Sequence, residues 1–379
     1  MLLDTLRLGS EAEAHFDSAT IAGGGGAERL AVYLANDWVA RGYAVEFILL
    51  KNEGALLPLL SPAIRVTSLN VDRIKWSIWP LRHHLKRTRP DVVWVGMWPL
   101  TSAAVIAWLF ARRQGKIFLT DHNQLSISCV RELDISPLWL RIVMNATYPF
   151  ATGVMAVSKG VAADMCRLSG FAEDRIKVIY NPAARGVTAE RAAAALREQL
   201  WGQGFTHHIL TVGSFKLQKN HALLIRAFAK LPRSLNAKLT ILGEGDLRPV
   251  MEQQIAELGL QDRVSLPGFY QDPYPWFLSA DLFVLSSDWD GFGNVIVEAL
   301  ECGVPIVSTD CPSGPTEILE DGRYGRLVPV GDVDALAAAM IASLNEAPAR
   351  ESLMNRAKDF SVDRISEEYL DYFGLPHRV

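Results

Sequence analysis

A chain of 379 residues is long for one hydrophobic core and suits two domains of roughly 180 residues each. Its apolar fraction of 49%, charged fraction of 21% and net charge of -4 exclude a disordered chain and a general polyanion binder. The charge is uneven: residues 1–183 carry 20 Lys and Arg against 16 Asp and Glu, the remainder 18 against 26, so a basic face belongs to the first half.

In chain order, Met1–Glu13 fits no regular element, and His15–Ala22 is less apolar than a central first strand should be. A helix is predicted from about Ala27 to Arg41. Apolar strands follow at Ala44–Leu50, Arg65–Asn70, Asp91–Val95, Lys116–Asp121, Val154–Ser158 and Lys177–Tyr180. Such alternation with helices implies a parallel sheet covered on both faces. Within it, Val92–Ala111 runs twenty residues without a charge and satisfies a hydropathy window for a membrane span. Pro99 and the change from a β-branched, aromatic run to a helical one give strand, turn, helix instead.

Asn181-Pro182 closes the first half, and 184–207 reads as a charged helix and linker. A second alternating series places strands at His208–Val212, Lys238–Leu242, Val264–Leu266, Asp281–Leu285, Pro305–Ser308 and Gly325–Pro329. The expected organisation is a first Rossmann-like domain over 1–183, a linker over 184–207, a second Rossmann-like domain over 208–350 and C-terminal helices over 351–379. Two doubly wound domains facing across a cleft hold ligands at the carboxyl ends of their strands. Cys129, Cys166, Cys302 and Cys311 show no metal-binding spacing, and no signal-peptide pattern precedes them; reduced thiols in a cytoplasmic protein are the simplest account.

Three stretches carry chemistry. In Ser286–Asp310 an apolar strand opens into Asp290-Gly291-Phe292-Gly293, and a helix starts near Asn294 and Val295. Glycines let the backbone approach a ligand, and the first N–H groups of a helix favour an anion, so a diphosphate fits there. Asp290 and Glu298, with seven residues between them, flank that position and suit hydroxyl groups, which points to a nucleotide sugar. In Val212–Asn220 a strand ends in Gly213, Ser214, Phe215, Lys216, Leu217, Gln218 and Lys219, and Lys219 can act as a point charge on phosphate. Gly23–Gly26 precedes the first helix, but Glu28 and Arg29 break the dinucleotide fingerprint and Glu46 falls inside a strand, against a dehydrogenase. His122 follows the strand Lys116–Asp121 and should sit at the sheet's carboxyl edge.

On these residues the chain resembles the retaining glycosyltransferases of family 4 with the GT-B fold. Their signature is two acids with seven residues between them around a GFG-type loop, then EA-x-x-x-G-x-P-(I/V)-V; here Asp290 stands where the family usually has Glu, and Ser214 where it has Arg. The resemblance implies a nucleotide-sugar co-substrate, probed by His122, Lys219, Asp290 and Glu298. It further implies contacts from Gly25, Gly26, Ser214, Lys216, Gly291, Phe292, Gly293, Asn294 and Val295, with no metal or cofactor. It implies metal-independent hexosyl or N-acetylhexosaminyl transfer, UDP-linked by analogy, to a polyprenyl-diphosphate-linked or glycan acceptor in bacterial surface polysaccharide synthesis. Ser313–Ile318 adds a Gly-Pro turn in which Glu317 reads equally as a capping acid. A soluble small-molecule acceptor, and a non-catalytic nucleotide-sugar binder, are the alternatives.

The segment Arg73–Arg89 interleaves Trp76 and Trp79 with six Lys and Arg residues. It reads first as a solvated helix packed by its tryptophans on the sheet, and second as a peripheral dock on the anionic inner face of a membrane. No nucleic-acid-binding pattern accompanies it.

Overall fold

The computed structural model describes residues 2–6, 15–18, 26–54, 56–187 and 194–376. They form two compact units: residues 1–182 with 362–379, and residues 183–361.

Unit one opens with β1 (Leu2–Leu6), β2 (His15–Ser18), α1 (Gly26–Ala40), β3 (Val45–Leu49), β4 (Arg65–Ser68) and α2 (Ile74–Thr88). It continues with β5 (Val92–Gly96), α3 (Leu100–Phe110), β6 (Lys116–Asp121), α4 (Leu125–Arg131), α5 (Pro137–Thr147), β7 (Gly153–Ala156), α6 (Lys159–Ser169) and β8 (Ile176–Val178). The sheet runs β4-β3-β2-β1-β5-β6-β7-β8. The stretch Met1–Glu13, unassigned from sequence, contributes β1, which pairs antiparallel with β2, β3 and β5; the other strand pairs are parallel. The strand expected at His15–Ala22 is seen over His15–Ser18, and the expected glycine contact at Gly25 lies outside the described residues, while Gly26 opens α1.

Val92–Ala111 folds as β5, a turn at Trp98-Pro99 and α3, and among the described residues no helix is long and apolar enough to cross a membrane. In α2, Ser77, Leu81, His84 and Leu85 turn inward. Trp76 and Trp79 are 60% and 61% exposed, which overturns the expectation that the tryptophans pack this helix on the sheet. The buried stripe follows the helical spacing 77, 81, 84, 85, and positions 76 and 79 lie off it.

Unit two opens with α7 (Ala194–Trp201), β9 (His207–Val212), α8 (His221–Ala229), β10 (Ala237–Leu242), α9 (Arg248–Glu257), β11 (Val264–Gly268) and α10 (Tyr274–Ser279). Then come β12 (Leu282–Leu285), α11 (Asn294–Glu301), β13 (Ile306–Thr309), α12 (Pro315–Ile318), β14 (Arg326–Val328), α13 (Val333–Leu344) and α14 (Arg350–Ala357). Its six parallel strands are ordered β11-β10-β9-β12-β13-β14. Counted from β9 this is 3-2-1-4-5-6, the doubly wound order whose ligand crevice lies where the winding reverses, at the carboxyl ends of β9 and β12. The strand interiors are buried side chains such as Ile209, Leu239, Ile241, Leu282, Val284 and Val307, as a sheet covered on both faces requires.

The C-terminal helices expected over 351–379 are divided at Ser361: α14 belongs to unit two, and the last helix, α15 (Val362–Phe373), to unit one. Tyr369 and Phe373 of α15 pack against Trp38 and Trp94, with the Trp94 and Tyr369 rings 5.0 Å apart. Arg41, beyond the end of α1, pairs with Asp363 and, at 3.4 Å, Glu367. The C-terminus thereby completes the core of the first unit.

Candidate functional site

The winding reversal of unit two brings together two loops far apart in sequence. After β9 the chain turns through Gly213 to Lys219; after β12 it turns through Ser286 to Gly293. Ser286 Oγ donates to the Lys219 carbonyl at 2.9 Å, the Asp288 N–H donates to the Gln218 carbonyl at 2.9 Å, and Asn220 Nδ2 donates to Asp288 Oδ1 at 2.7 Å. Asn220 also caps α8, its Oδ1 accepting from the Leu223 N–H at 3.1 Å. Held in this way, Lys219 Nζ lies 2.5 Å from Asp290 Oδ2. Two predicted site residues 71 positions apart thus form one ion pair, with side chains 16% and 11% exposed.

The glycine loop is built to hold that geometry. Gly293 is the N-cap of α11 at φ 95°, a conformation that side chains resist, and offers no side chain to the helix start. Gly314 stands at φ 92°, and a Cβ there would lie 1.9 Å from the Phe292 carbonyl oxygen, so only glycine lets the 311–314 turn close onto the loop. Ser313 Oγ completes the brace by donating to the Asp290 carbonyl at 2.8 Å. Gly291, Phe292 and Gly293 are buried, Asn294, Val295 and Glu298 are half-buried, and Glu298 lies one turn along α11. Together they place backbone N–H groups and a carboxylate at the positive end of a helix, an arrangement suited to an anion flanked by hydroxyls.

On the β9 side, Ser214 and Lys216 are exposed. A Cβ at Gly243 would meet the Gly213 carbonyl at 2.0 Å, and one at Gly245 the Phe215 carbonyl at 2.7 Å, so the loops after β9 and β10 pack backbone to backbone. His221 is buried under this turn and neither ring nitrogen completes a hydrogen bond among the described residues. Burial, with Lys219 as a secondary cause, pushes it down to about 4.

Sequence reasoning passed over Glu301. It is buried one turn beyond Glu298 and accepts from the N–H groups of Arg185, Gly186 and Val187 at 3.1, 2.6 and 3.0 Å and from the Tyr274 hydroxyl at 2.5 Å. These bonds fix α11 to the start of unit two; the i, i+3 spacing from Glu298 was its sequence signal. Ser313 was legible only as part of a Gly-Pro turn, and Asn220 only as the end of the stretch Val212–Asn220.

His122 is in unit one, just past β6, and is described there by itself. The residue is half-buried, yet both ring nitrogens are shut from solvent without a hydrogen-bond partner among the described residues. Burial holds it near 4 and therefore neutral at physiological pH. The four cysteines are free thiols.

Comparison with known proteins decides the family. Residues 204–360 match the family described as Glycosyl transferases group 1, and residues 24–184 match Glycosyltransferase Family 4. The chain belongs to the group 1, family 4 glycosyltransferases of GT-B fold. Its relatives include the N-acetylgalactosamine-N,N'-diacetylbacillosaminyl-diphospho-undecaprenol 4-alpha-N-acetylgalactosaminyltransferase of Campylobacter jejuni, 32% identical over 61% of this chain and 62% of that protein. The lipopolysaccharide core biosynthesis glycosyltransferase LpsE of Rhizobium meliloti is 28% identical over 91% of this chain and 93% of its own. Among solved structures, Anabaena HepE in complex with UDP-glucose superposes with a TM-score of 0.79 at 24% identity, covering 94% of this chain and 98% of that one, which bears on the fold.

Proposed function

We propose that this glycosyltransferase moves a hexosyl or N-acetylhexosaminyl unit from a UDP-linked donor to a polyprenyl-diphosphate-linked or glycan acceptor, with retention and without a bound metal. The observation that carries the reading is the Lys219–Asp290 pair beside the glycine loop and the start of α11. In this reading Lys219, the α11 amides and Lys216 oppose the charge that builds on the departing diphosphate, the work a divalent cation does in other sites. Glu298 accepts from the ribose hydroxyls, and Asp290 accepts from a hydroxyl of the transferred sugar, while the neutral His122 of unit one is read by itself as a hydroxyl partner. The anomeric C–O bond breaks toward the diphosphate, the acceptor hydroxyl forms the new bond from the same face, and its proton passes to the departing phosphate oxygen.

The acceptor class is supported by the Campylobacter and Rhizobium relatives, whose names place them in undecaprenol-linked glycan and lipopolysaccharide core synthesis. An anionic membrane contact at the cytoplasmic face is supported by the outward Trp76 and Trp79. Lys75 Nζ stands 5.0 Å over the Trp76 ring, Arg82 lies 5.5 Å from the Trp79 ring, and exposed Phe110 stacks on Trp79 at 5.6 Å. Cations beside outward tryptophans suit a headgroup layer.

The test is to incubate purified protein with a panel of UDP-, GDP- and ADP-sugars, measure slow nucleotide release, then add lipid-linked and free acceptors to the best donor. UDP release stimulated by a polyprenyl-linked acceptor supports the reading. Stimulation only by a soluble metabolite removes the lipid acceptor, and donor binding without turnover under any condition removes catalysis.

A further inference from the structure

Unit one carries, at one edge of its sheet, buried polar atoms that find no partner among the described residues. Strands β5 and β6 run parallel, their register ending at Gly96 beside Thr120, and Trp98 and His122 follow these two strands at the same carboxyl edge, tied there by the Trp98 N–H on Asp121 Oδ1. The layer beneath is fully engaged. The Trp98 N–H donates to Asp121 Oδ1 at 3.0 Å, the Tyr148 hydroxyl donates to Asp121 Oδ2 at 2.7 Å, and Tyr148 shares a 2.9 Å bond with Thr101. Met97, the link between β5 and Trp98, is held at φ 64°, a conformation non-glycine residues rarely adopt, with its N–H on the Thr120 carbonyl at 2.8 Å.

Above that layer the accounting changes. Trp98 is 8% exposed, and its Nε1 finds no partner among the described residues; the same holds for both ring nitrogens of His122. Buried polar atoms are nearly always bonded, and exceptions mark a missing water or ligand. The chemistry of the unused atoms narrows the ligand: an indole N–H only donates, whereas a neutral imidazole donates at one nitrogen and accepts at the other. A group that both accepts and donates, on a body with a face that packs against an indole, satisfies all three, and a pyranose with adjacent hydroxyls has those properties.

We propose that Trp98 and His122 form a sugar-hydroxyl subsite on unit one, in which Trp98 Nε1 donates to a hydroxyl oxygen and acts as a specificity-determining residue beside His122. The inference rests on the glycosyl-transfer reading above and adds to it a residue that no sequence motif marks.

The test uses the full chain labelled with ¹⁵N at the tryptophan indoles, the Trp98 resonance being the one missing from Trp98→Phe. That variant keeps most of the ring volume and deletes the N–H. Its melting temperature, compared with the parent, reports whether packing survives. The Trp98 resonance should shift with the nucleotide sugar that the protein turns over, or with the glycan acceptor added separately, and stay in place with UDP alone. The arm that shifts it identifies which sugar occupies the subsite. Trp98→Phe should lower kcat/KM for that sugar about tenfold, the loss of one neutral hydrogen bond, with UDP inhibition unchanged. It should also blunt discrimination between substrates epimeric at one hydroxyl, which a packing role would leave intact. An unmoved resonance in a protein that turns over nucleotide sugar, with Trp98→Phe as active as the parent, overturns the subsite alone and leaves a water-bonded indole. Absence of turnover and of sugar-dependent shifts with every donor overturns glycosyl transfer and the subsite together.

Discussion

Breaking the Lys219–Asp290 pair gives the most direct test of the site in unit two. At 2.5 Å and an effective dielectric of about 20, the gross attraction is roughly 6 to 7 kcal/mol, most of it cancelled by desolvation of two largely covered side chains. A net coupling of about 2 kcal/mol should remain between Lys219→Ala and Asp290→Ala in a double-mutant cycle on urea unfolding. Each single variant strands a charge, so the two single losses of stability should sum to more than the loss in the double variant. The same cycle repeated in saturating UDP carries the functional content. If Lys219 turns toward the diphosphate, UDP should stabilise the parent and Asp290→Ala, stabilise Lys219→Ala far less, and bind Asp290→Ala more tightly because a competing carboxylate is gone. A coupling below about 0.5 kcal/mol without ligand would refute the pair. Equal UDP affinity in all four proteins would refute its role at phosphate.

Glu298→Gln keeps the size of the side chain but weakens a charge-assisted bond, so donor affinity measured by calorimetry should fall by about 1.5 to 3 kcal/mol; unchanged affinity removes Glu298 from the ribose. His221 is neutral in the folded protein and held near 4, whereas an unfolded histidine binds its proton near 6.5. The unfolded state therefore gains protons first, stability is full above about pH 6.5, and about 2 kcal/mol should be lost by pH 5, a slope that His221→Phe should flatten in urea titrations at both pH values. Binding to anionic vesicles should fall as salt rises and be weakened at least several-fold by Trp76→Ala with Trp79→Ala; equal recovery on neutral and anionic vesicles at low salt would leave α2 an ordinary solvated helix.

Much of unit two was legible because its strands are short apolar runs, β9, β10 and β11 ending at glycine, and the chemistry of a glycine loop at a helix start is local. Asp290, Gly293 and Glu298 needed only their own neighbourhood to be singled out. The ion pair was not legible: Lys219 reads as a phosphate ligand and Asp290 as a sugar ligand until the 3-2-1-4-5-6 order sets their loops side by side. In α2 the signal was present but outweighed by composition. Tryptophan suggests burial, yet Ser77, Leu81, His84 and Leu85 already trace the inward stripe, and a hydrophobic count that ignores spacing misplaces Trp76 and Trp79. The antiparallel β1 lacks such a signal, since Leu2–Leu6 is too short for alternation to declare a partner. Trp98 was hidden for another reason: its meaning lies in how the turns after two strands are tied together, Trp98 to Asp121, which no single stretch of chain records.

The exchange of Arg for Ser at position 214 sharpens what the pair can do. One guanidinium beside that loop, Arg248, lies 5.4 Å from the Phe215 ring but is committed to Glu244 at 2.6 and 2.9 Å and to Glu252 at 3.0 Å. Lys216 is exposed and makes no ion pair among the described residues, while Lys219 is already neutralised by Asp290. On the proposed reading, a diphosphate thus meets, among the described residues of the β9 loop, the free cation of Lys216, and must draw Lys219 away from its carboxylate to gain a second. Doing so leaves Asp290 unpaired in a covered position, a cost that a bare nucleotide cannot offset and that a donor sugar can, by giving the freed carboxylate a hydroxyl donor. Phosphate recognition and sugar recognition are then coupled through a single ion pair, so UDP alone should bind less tightly than its contacts suggest and the sugar should contribute more than one ordinary hydrogen bond. With the Arg restored at 214, a second fixed cation would hold the diphosphate without disturbing Asp290, and that coupling would weaken even as nucleotide affinity rose.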